Sequence, residues 1–304
     1  MKLFLCLLFI LPGLLRAQQC DYNIQAPSFA ANLTRANQTL ESSMSVSRGS
    51  SSTPNCGTAR IYTGKGQANS YDRRAYSGGN SVPYNLYSSI NLGNPLKDYP
   101  EAVAGEYIEV FMSSSNAAVP VTAYVALPNL DTIFSTPPGV YTDVIPFHYY
   151  AVRSNGSLDL QTSRYVTISI QIPRFAELSL VSQNAPHDAA ATQYIMDFGA
   201  LETGKERRAD LIVLGNVGFG VLMSSQNGGR LVNGVSHVQY RLQIGNGPQL
   251  NLSPAGNQYQ VIQRPTATTL AGSRYPLNIT LQNVPTSLAT GAYEDVITIT
   301  VQAW

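Results

Sequence analysis

The segment Gly139-Val-Tyr141-Thr-Asp143-Val144-Ile145 returns 152 residues later as Gly291-Ala-Tyr293-Glu-Asp295-Val296-Ile297. Ahead of it, Val82-Pro-Tyr84-Asn-Leu86 returns after 156 residues as Val238-Gln-Tyr240-Arg-Leu242. One such echo could arise by chance. Two in the same order at nearly equal offsets argue for two copies of one domain, because a repeat fixes architecture before any single motif does. The junction is expected around residues 153 to 166, with a first domain over 18–160 and a second over 161–304.

What each copy folds into follows from its hydrophobic period. Val119, Val121, Ala123 and Val125 alternate with other residues, as do Val166, Ile168, Ile170 and Ile172. Tyr293, Ile297, Ile299 and Val301 do the same against Thr298, Thr300 and Gln302. A period of two marks half-buried strands. Between the strands lies turn chemistry: Asn155-Gly156, Asn227-Gly228-Gly229, Asn233-Gly234 and Gly245-Asn246-Gly247-Pro248. Leu40–Pro54 reads as a strand running into a Ser-rich tip, and Asp188–Met196 is the one helix-friendly stretch. Many short strands with such turns make an all-β chain of two immunoglobulin-like sandwiches. Charged residues are 12% of the sequence, which suits sheet and turn rather than surface helices.

The compartment is set by the first residues. Lys2, an apolar run over Leu3–Leu15 and the small Ala17 read as a signal peptide over 1–17. The run is shorter than the roughly 18 apolar residues a membrane-spanning helix needs. Export makes Cys20 and Cys56 the surviving cysteines, and two cysteines in an oxidising compartment most simply pair; two free buried thiols are the other possibility. Removing Lys2 and Arg16 from the 19 basic residues leaves 17 against 18 acidic. A net charge near −1 offers no footprint for nucleic acid.

Catalytic and metal chemistry find little to work with. His148, His187 and His237 lack a carboxylate, cysteine or second histidine at ligand spacing. No Gly-x-Ser-x-Gly elbow or phosphate loop appears, so no enzyme activity, metal or cofactor is expected. Asp143 and Asp295 recur at equivalent positions near a tyrosine, which favours a structural hydrogen bond closing a loop. Arg73-Arg74 and Arg207-Arg208 read as short basic pairs on solvated faces. The Asn-x-Ser/Thr triplets at Asn32, Asn37, Asn155, Asn251 and Asn278 are what a chain rich in these residues gives by chance.

Several boxes follow one another in the first half: Cys56-Gly-Thr-Ala-Arg-Ile-Tyr-Thr-Gly-Lys-Gly66, Tyr71-Asp-Arg73-Arg74, Tyr84-Asn85-Leu86-Tyr87 and Gly139-x-Tyr141-x-Asp143. In this order they resemble the spore coat protein U family of secreted pilins, subunits of archaic, Csu-type chaperone-usher pili. The second half is similar through Asp197-Phe198-Gly199, Asn216-Val-Gly-Phe219, Ser224–Leu231 and Gly291-x-Tyr293-x-Asp295. It lacks cysteines, and the first half lacks the tryptophan-glycine segment frequent in the family, so each is a divergent member. The resemblance implies a two-domain tip adhesin: a surface-binding domain first, then a pilin domain whose incomplete sandwich is closed by donor-strand complementation. It implies a periplasmic chaperone, an outer-membrane usher and an adjacent pilin subunit as partners, and a place at the pilus tip on the cell surface. A host receptor or abiotic surface is the target, with biofilm formation the outcome. A secreted structural coat or fimbrial subunit, or a lectin-like carbohydrate-binding surface protein, is the alternative.

Two features of the strands bear on this. The sequence stops at Trp304 directly after its most regular strand, and Ile297, Ile299 and Val301 are expected to line a groove that another strand fills; an ordinary edge strand is the other possibility. Only Gln18 and Gln19 stand between the leader and Cys20, so no donor strand is expected there, which suits the end of a fibre. The gripping surface is sought in turn-rich segments carrying apolar side chains: Leu92, Leu96 and Tyr99 first, then Ile133 and Phe134. The first segment is placed at the free end of its domain. The alternative is that these side chains fold back on the core.

Overall fold

The computed structural model describes residues 20–34, 38–49, 56–113, 117–129, 131 and 134–304. The expected leader over 1–17, and Ile133, lie outside the described residues. The first half comprises β1 (Tyr22–Gln25), β2 (Phe29–Asn32), β3 (Gln38–Arg48), β4 (Thr58–Thr63), β5 (Arg74–Ser77), β6 (Asn80–Pro83), β7 (Asn85–Tyr87), β8 (Ile108–Phe111), β9 (Val119–Leu127), β10 (Gly139–Val152) and β11 (Leu158–Ile172). They form a four-stranded sheet in the order β1-β3-β9-β7 and a seven-stranded sheet built on β2-β11-β10-β4-β8, with β5 and β6 attached to β10. This is the immunoglobulin-like arrangement of an ABED sheet with a GFC sheet. Alternation decides the faces: β9 buries Val121, Ala123, Val125 and Leu127, while β11 buries Val166, Ile168, Ile170 and Ile172.

The β10–β11 hairpin turns at the expected Asn155-Gly156, where Gly156 takes φ +81° and its N–H bonds the Arg153 carbonyl at 2.8 Å. β11 pairs with β10 from Val152↔Leu158 to Gly139↔Ile172. The expected boundary between residues 160 and 161 therefore falls inside a strand of the first half's seven-stranded sheet, and the changeover to the second set of strands comes at 173–175. On its other side β11 pairs in parallel with β2, from Ile168↔Phe29 to Gln171↔Asn32.

A disulfide joins Cys20 to Cys56 across a separation of 36 residues, tying the start of the first sandwich to the approach to β4. Replacing both cysteines with alanine is expected to lower stability by about 3–4 kcal/mol on the chain-entropy estimate for a loop of this size. The urea midpoint of the full chain measures it.

The second half comprises β12 (Ala176–Val181), β13 (Glu206–Gly215), β14 (Phe219–Ser225), β15 (Arg230–Asn233), β16 (Ser236–Ile244), β17 (Gln249–Leu250), β18 (Tyr259–Arg264), β19 (Ser273–Gln282) and β20 (Ile297–Ala303). One sheet runs β12-β13-β19-β16-β15 with β17 beside β16; the other runs β18-β14-β20. No helix occurs among the described residues, and Asp188–Met196 is turn and irregular chain. Each half has its own hydrophobic cluster.

Candidate functional site

The repeat lets the two halves be compared position by position. Val82 and Tyr84 are buried on and just after β6, as Val238 and Tyr240 are on β16. Thr142 bridges Tyr76, and its counterpart Glu294 bridges Val232. In both halves the same tyrosine hydroxyl donates to the same aspartate. Tyr84 reaches Asp143 Oδ2 at 2.7 Å, and Tyr240 reaches Asp295 Oδ2 at 2.5 Å. Backbone N–H groups complete each carboxylate: Gln67 and Val144 for Asp143, Asn227 and Val296 for Asp295. Burial, then the hydrogen bond to the carboxylate, pushes the pKa of both tyrosines well above the usual phenol range. They stay neutral donors, so these aspartates close loops. Gly66 belongs to the same lock: it sits at φ +68°, and a Cβ there would come within 2.2 Å of Asp143 Oδ2.

The two locks differ in burial, and the second adds a bond from the Ser225 hydroxyl to Asp295 Oδ2 at 2.5 Å. Asp143 is completely buried, whereas Asp295 is only half-buried. Asp143→Ala is therefore expected to cost about 2–3 kcal/mol, because it strands the buried Tyr84 hydroxyl and removes the acceptor of the Gln67 and Val144 N–H groups. Asp295→Ala should cost less, since water reaches that site. Urea unfolding of the two full-length variants separates them.

The same contrast runs along the whole strand. On β10, Tyr141, Ile145, Phe147 and Tyr149 are at most 1% exposed. Their counterparts Tyr293, Ile297, Ile299 and Val301 are all half-buried. The cause is the missing neighbour. β10 is flanked by β4 and β11, while β20 pairs with β14 on one side and with no strand on the other among the described residues. Between β20 and β12 lies an open groove of about 870 Å³, floored by Leu180, Leu231, Ile279, Ile297 and Ile299. The irregular chain from Thr192 to Gly199 forms its rim, with Phe198 turned into the core. Of the three expected groove residues, Ile297 and Ile299 line it; Val301 packs farther along the same strand face.

The sequence-predicted gripping residues scatter. Leu92 is 37% exposed and Tyr99 48% exposed. Leu96 is fully buried, which corrects the expectation that it grips: its N–H bonds the Leu86 carbonyl at 2.8 Å and its own carbonyl accepts a hydrogen bond from Arg73 Nη2 at 2.7 Å. Phe134 is corrected likewise, lying buried with its ring edge-on to Phe175 at 5.6 Å. Ile90 and Val103, each 61% exposed, went unnoticed in the sequence. Arg73 is the largest surprise, since it is 0% exposed rather than solvated. Its guanidinium donates to the carbonyls of Thr63, Gly64 and Leu96 and to Asn85 Oδ1. Burial pulls its pKa down to about 10, which leaves it charged at neutral pH.

Arg73 also explains where the excursion after β7 goes. With Leu96 pinned by Arg73 and the Lys97 carbonyl accepting from Thr63 N–H at 3.1 Å, the chain lies over the outer face of β4 and β10. It does not project from the end of the sandwich. Arg73 has Gly229 as its counterpart, the residue whose carbonyl accepts from Tyr240 N–H as that of Arg73 accepts from Tyr84 N–H. The second half has no such clamp.

Fold and groove together define an all-β protein of paired immunoglobulin-like sandwiches, one carrying its own closing strand and one with no closing strand among the described residues. Residues 11–147 match the family model described as the Spore Coat Protein U domain. No curated protein sequence matches the chain. Among solved structures, the CsuC-CsuE chaperone–tip adhesion subunit pre-assembly complex of the archaic chaperone-usher Csu pili of Acinetobacter baumannii aligns with a TM-score of 0.46 at 12% identity, covering 92% of this chain and 100% of that chain. The CupB6 tip adhesin of Pseudomonas aeruginosa aligns with a TM-score of 0.39 at 10% identity, covering 92% and 94%. AggA, the major subunit of aggregative adherence fimbriae type I of Escherichia coli, aligns with a TM-score of 0.31 at 16% identity, covering 51% and 96%. At such identities and scores these likenesses carry no weight for function.

Proposed function

We propose that the chain is the tip adhesin of an archaic chaperone-usher pilus, gripping a surface with its first half and joining the fibre through its second. The observation that carries this is the missing neighbour of β20: the strand that repeats β10 stands without the partner that β11 supplies in the first half. An entering strand that buries large aliphatic side chains in the groove gains about 1.5–3 kcal/mol from each, besides ladder hydrogen bonds along the free edge. A periplasmic chaperone fills the groove first, and an adjacent pilin subunit replaces it at the usher. Attachment to a host or abiotic surface, and the biofilm it seeds, is the resulting activity.

The test is chaperone dependence. Residues 20–174, which keep β11 whole, are expected to be soluble and monomeric when expressed alone in a periplasm. Residues 175–304 are expected to be degraded or aggregated unless a strand-donating chaperone is co-expressed. A soluble, monomeric second half obtained without any partner would sink the proposal.

A further inference from the structure

Four tyrosines gather on the outer face of the first half's larger sheet, away from its core. Tyr62 on β4 is the hub, with ring centroids 5.1 Å from Tyr107, 5.3 Å from Tyr150 and 5.9 Å from Tyr99; Tyr99 and Tyr150 are 5.5 Å apart. Strand alternation puts them there, since Ile61 and Tyr149 face the core while Tyr62 and Tyr150 face out. The chain clamped by Arg73 delivers Tyr99, whose position is held by Asp98: its N–H bonds the Tyr71 hydroxyl and its Oδ1 accepts from Tyr99 N–H. The ledge is thus preorganised. Its rim is ionic, with Arg60 paired to Glu109 at 2.8 Å and lying 4.6 Å over the Tyr107 ring. On the other side Tyr99 walls a cleft of about 350 Å³, shared with Tyr71, Asn69, Asp98 and Glu101.

The chemistry of this ledge discriminates between possible occupants. The hydroxyls of Tyr99, Tyr107 and Tyr150 have no protein partner among the described residues. Pressed against an apolar solid, each would lose its water for nothing, at about 1–3 kcal/mol apiece. The Arg60–Glu109 pair would be desolvated as well. A ligand with an apolar face and many hydroxyls meets both demands, because it stacks on the rings and returns hydrogen bonds at their edges. Tyrosine suits such contacts: it offers a rigid amphipathic surface at little cost in side-chain entropy. We infer that the tyrosine ledge and its adjoining cleft form a saccharide-binding site.

This inference rests on the reading of the first half as the gripping half. The test applies the purified full-length chain to a printed array of defined oligosaccharides and, in parallel, to polystyrene beads. Retention on at least one class of saccharide is expected, falling at least tenfold in Tyr99→Ala/Tyr150→Ala. Tyr165→Ala, 76% exposed on the same sheet but outside the ledge, should bind as the parent does. Should the double variant fold poorly, Tyr99→Phe keeps the ring and removes the hydroxyl; it is expected to weaken saccharide retention several-fold without weakening adhesion to polystyrene. Retention on polystyrene alone, no saccharide retained, or equal retention by every variant would overturn the inference. Strand capture by the groove is read in a separate assay, so either result can fail while the other stands.

Discussion

Ile299→Asp is expected to abolish incorporation of the chain into fibres. In the open groove Ile299 is half-buried, so a carboxylate there can still turn towards water. Once a strand lies along β20 the same carboxylate has neither water nor a cation, and an unpaired buried charge costs several kcal/mol. That exceeds what a single aliphatic contact of the entering strand contributes, so the complex should fail as a whole. On the proposal that a chaperone fills this groove first, periplasmic levels of the variant should fall too. Thr300→Asp is the control: its side chain is exposed on the opposite face of β20, and fibre assembly should continue. Immunodetection of surface fibres and co-purification with the chaperone read both variants. Normal surface display of Ile299→Asp would remove the groove from the mechanism.

Arg73→Met is expected to destabilise the first half by about 3–5 kcal/mol. The methionine fills much of the volume, but the carbonyls of Thr63, Gly64 and Leu96 and the Asn85 side chain lose their shared donor. Buried acceptors left unpaired cost about 1–3 kcal/mol each, partly offset by removing a desolvated charge. Arg73→Lys should recover only part of the loss, because one ammonium cannot span acceptors arranged for a planar fork. The segment between β7 and β8 should become the site of proteolytic cleavage, since Leu96 is its anchor. Urea unfolding and limited proteolysis measure the two effects. Strand capture by the second half should be unchanged, as its groove shares no residue with this clamp. An Arg73→Met chain as stable as the parent would show that the clamp is dispensable.

Much of this fold was legible in the sequence. The alternation in Val119–Leu127, Leu158–Ile172 and Ile297–Ala303 names both the strand and its inward face, because side chains on a strand alternate whatever the strand pairs with. The Asn155-Gly156 turn is equally local. The repeat placed Asp143 and Asp295 in equivalent settings, but that their partners are Tyr84 and Tyr240, and not the neighbouring Tyr141 and Tyr293, came from the structure.

The failures share one cause, which is that irregular chain has no period. Nothing near Leu96 or Phe134 says which way the side chain turns; Leu96 is buried because Arg73, Leu86 and Thr63, remote in sequence, hold its segment down. Arg73 itself follows Asp72 and precedes Arg74, a setting that looks solvated. Its environment is made by three segments: the end of β4, the start of β7 and the irregular chain at Leu96. The tyrosine ledge was invisible for the same reason, since Tyr62, Tyr99, Tyr107 and Tyr150 become neighbours only when β4, β10 and the clamped chain are laid together.

What the sequence determined by itself is the repeated unit: two sandwiches of alternating strands, a loop-closing aspartate in each, and a pair of cysteines in the first. What only the tertiary structure decided is their inequality. The same Gly-x-Tyr-x-Asp strand is sealed as β10 and open as β20, because sealing depends on a neighbouring strand and not on the residues of the strand itself. Alternation fixes which side chains seek cover; whether cover arrives is settled by what the rest of the chain can bring beside them.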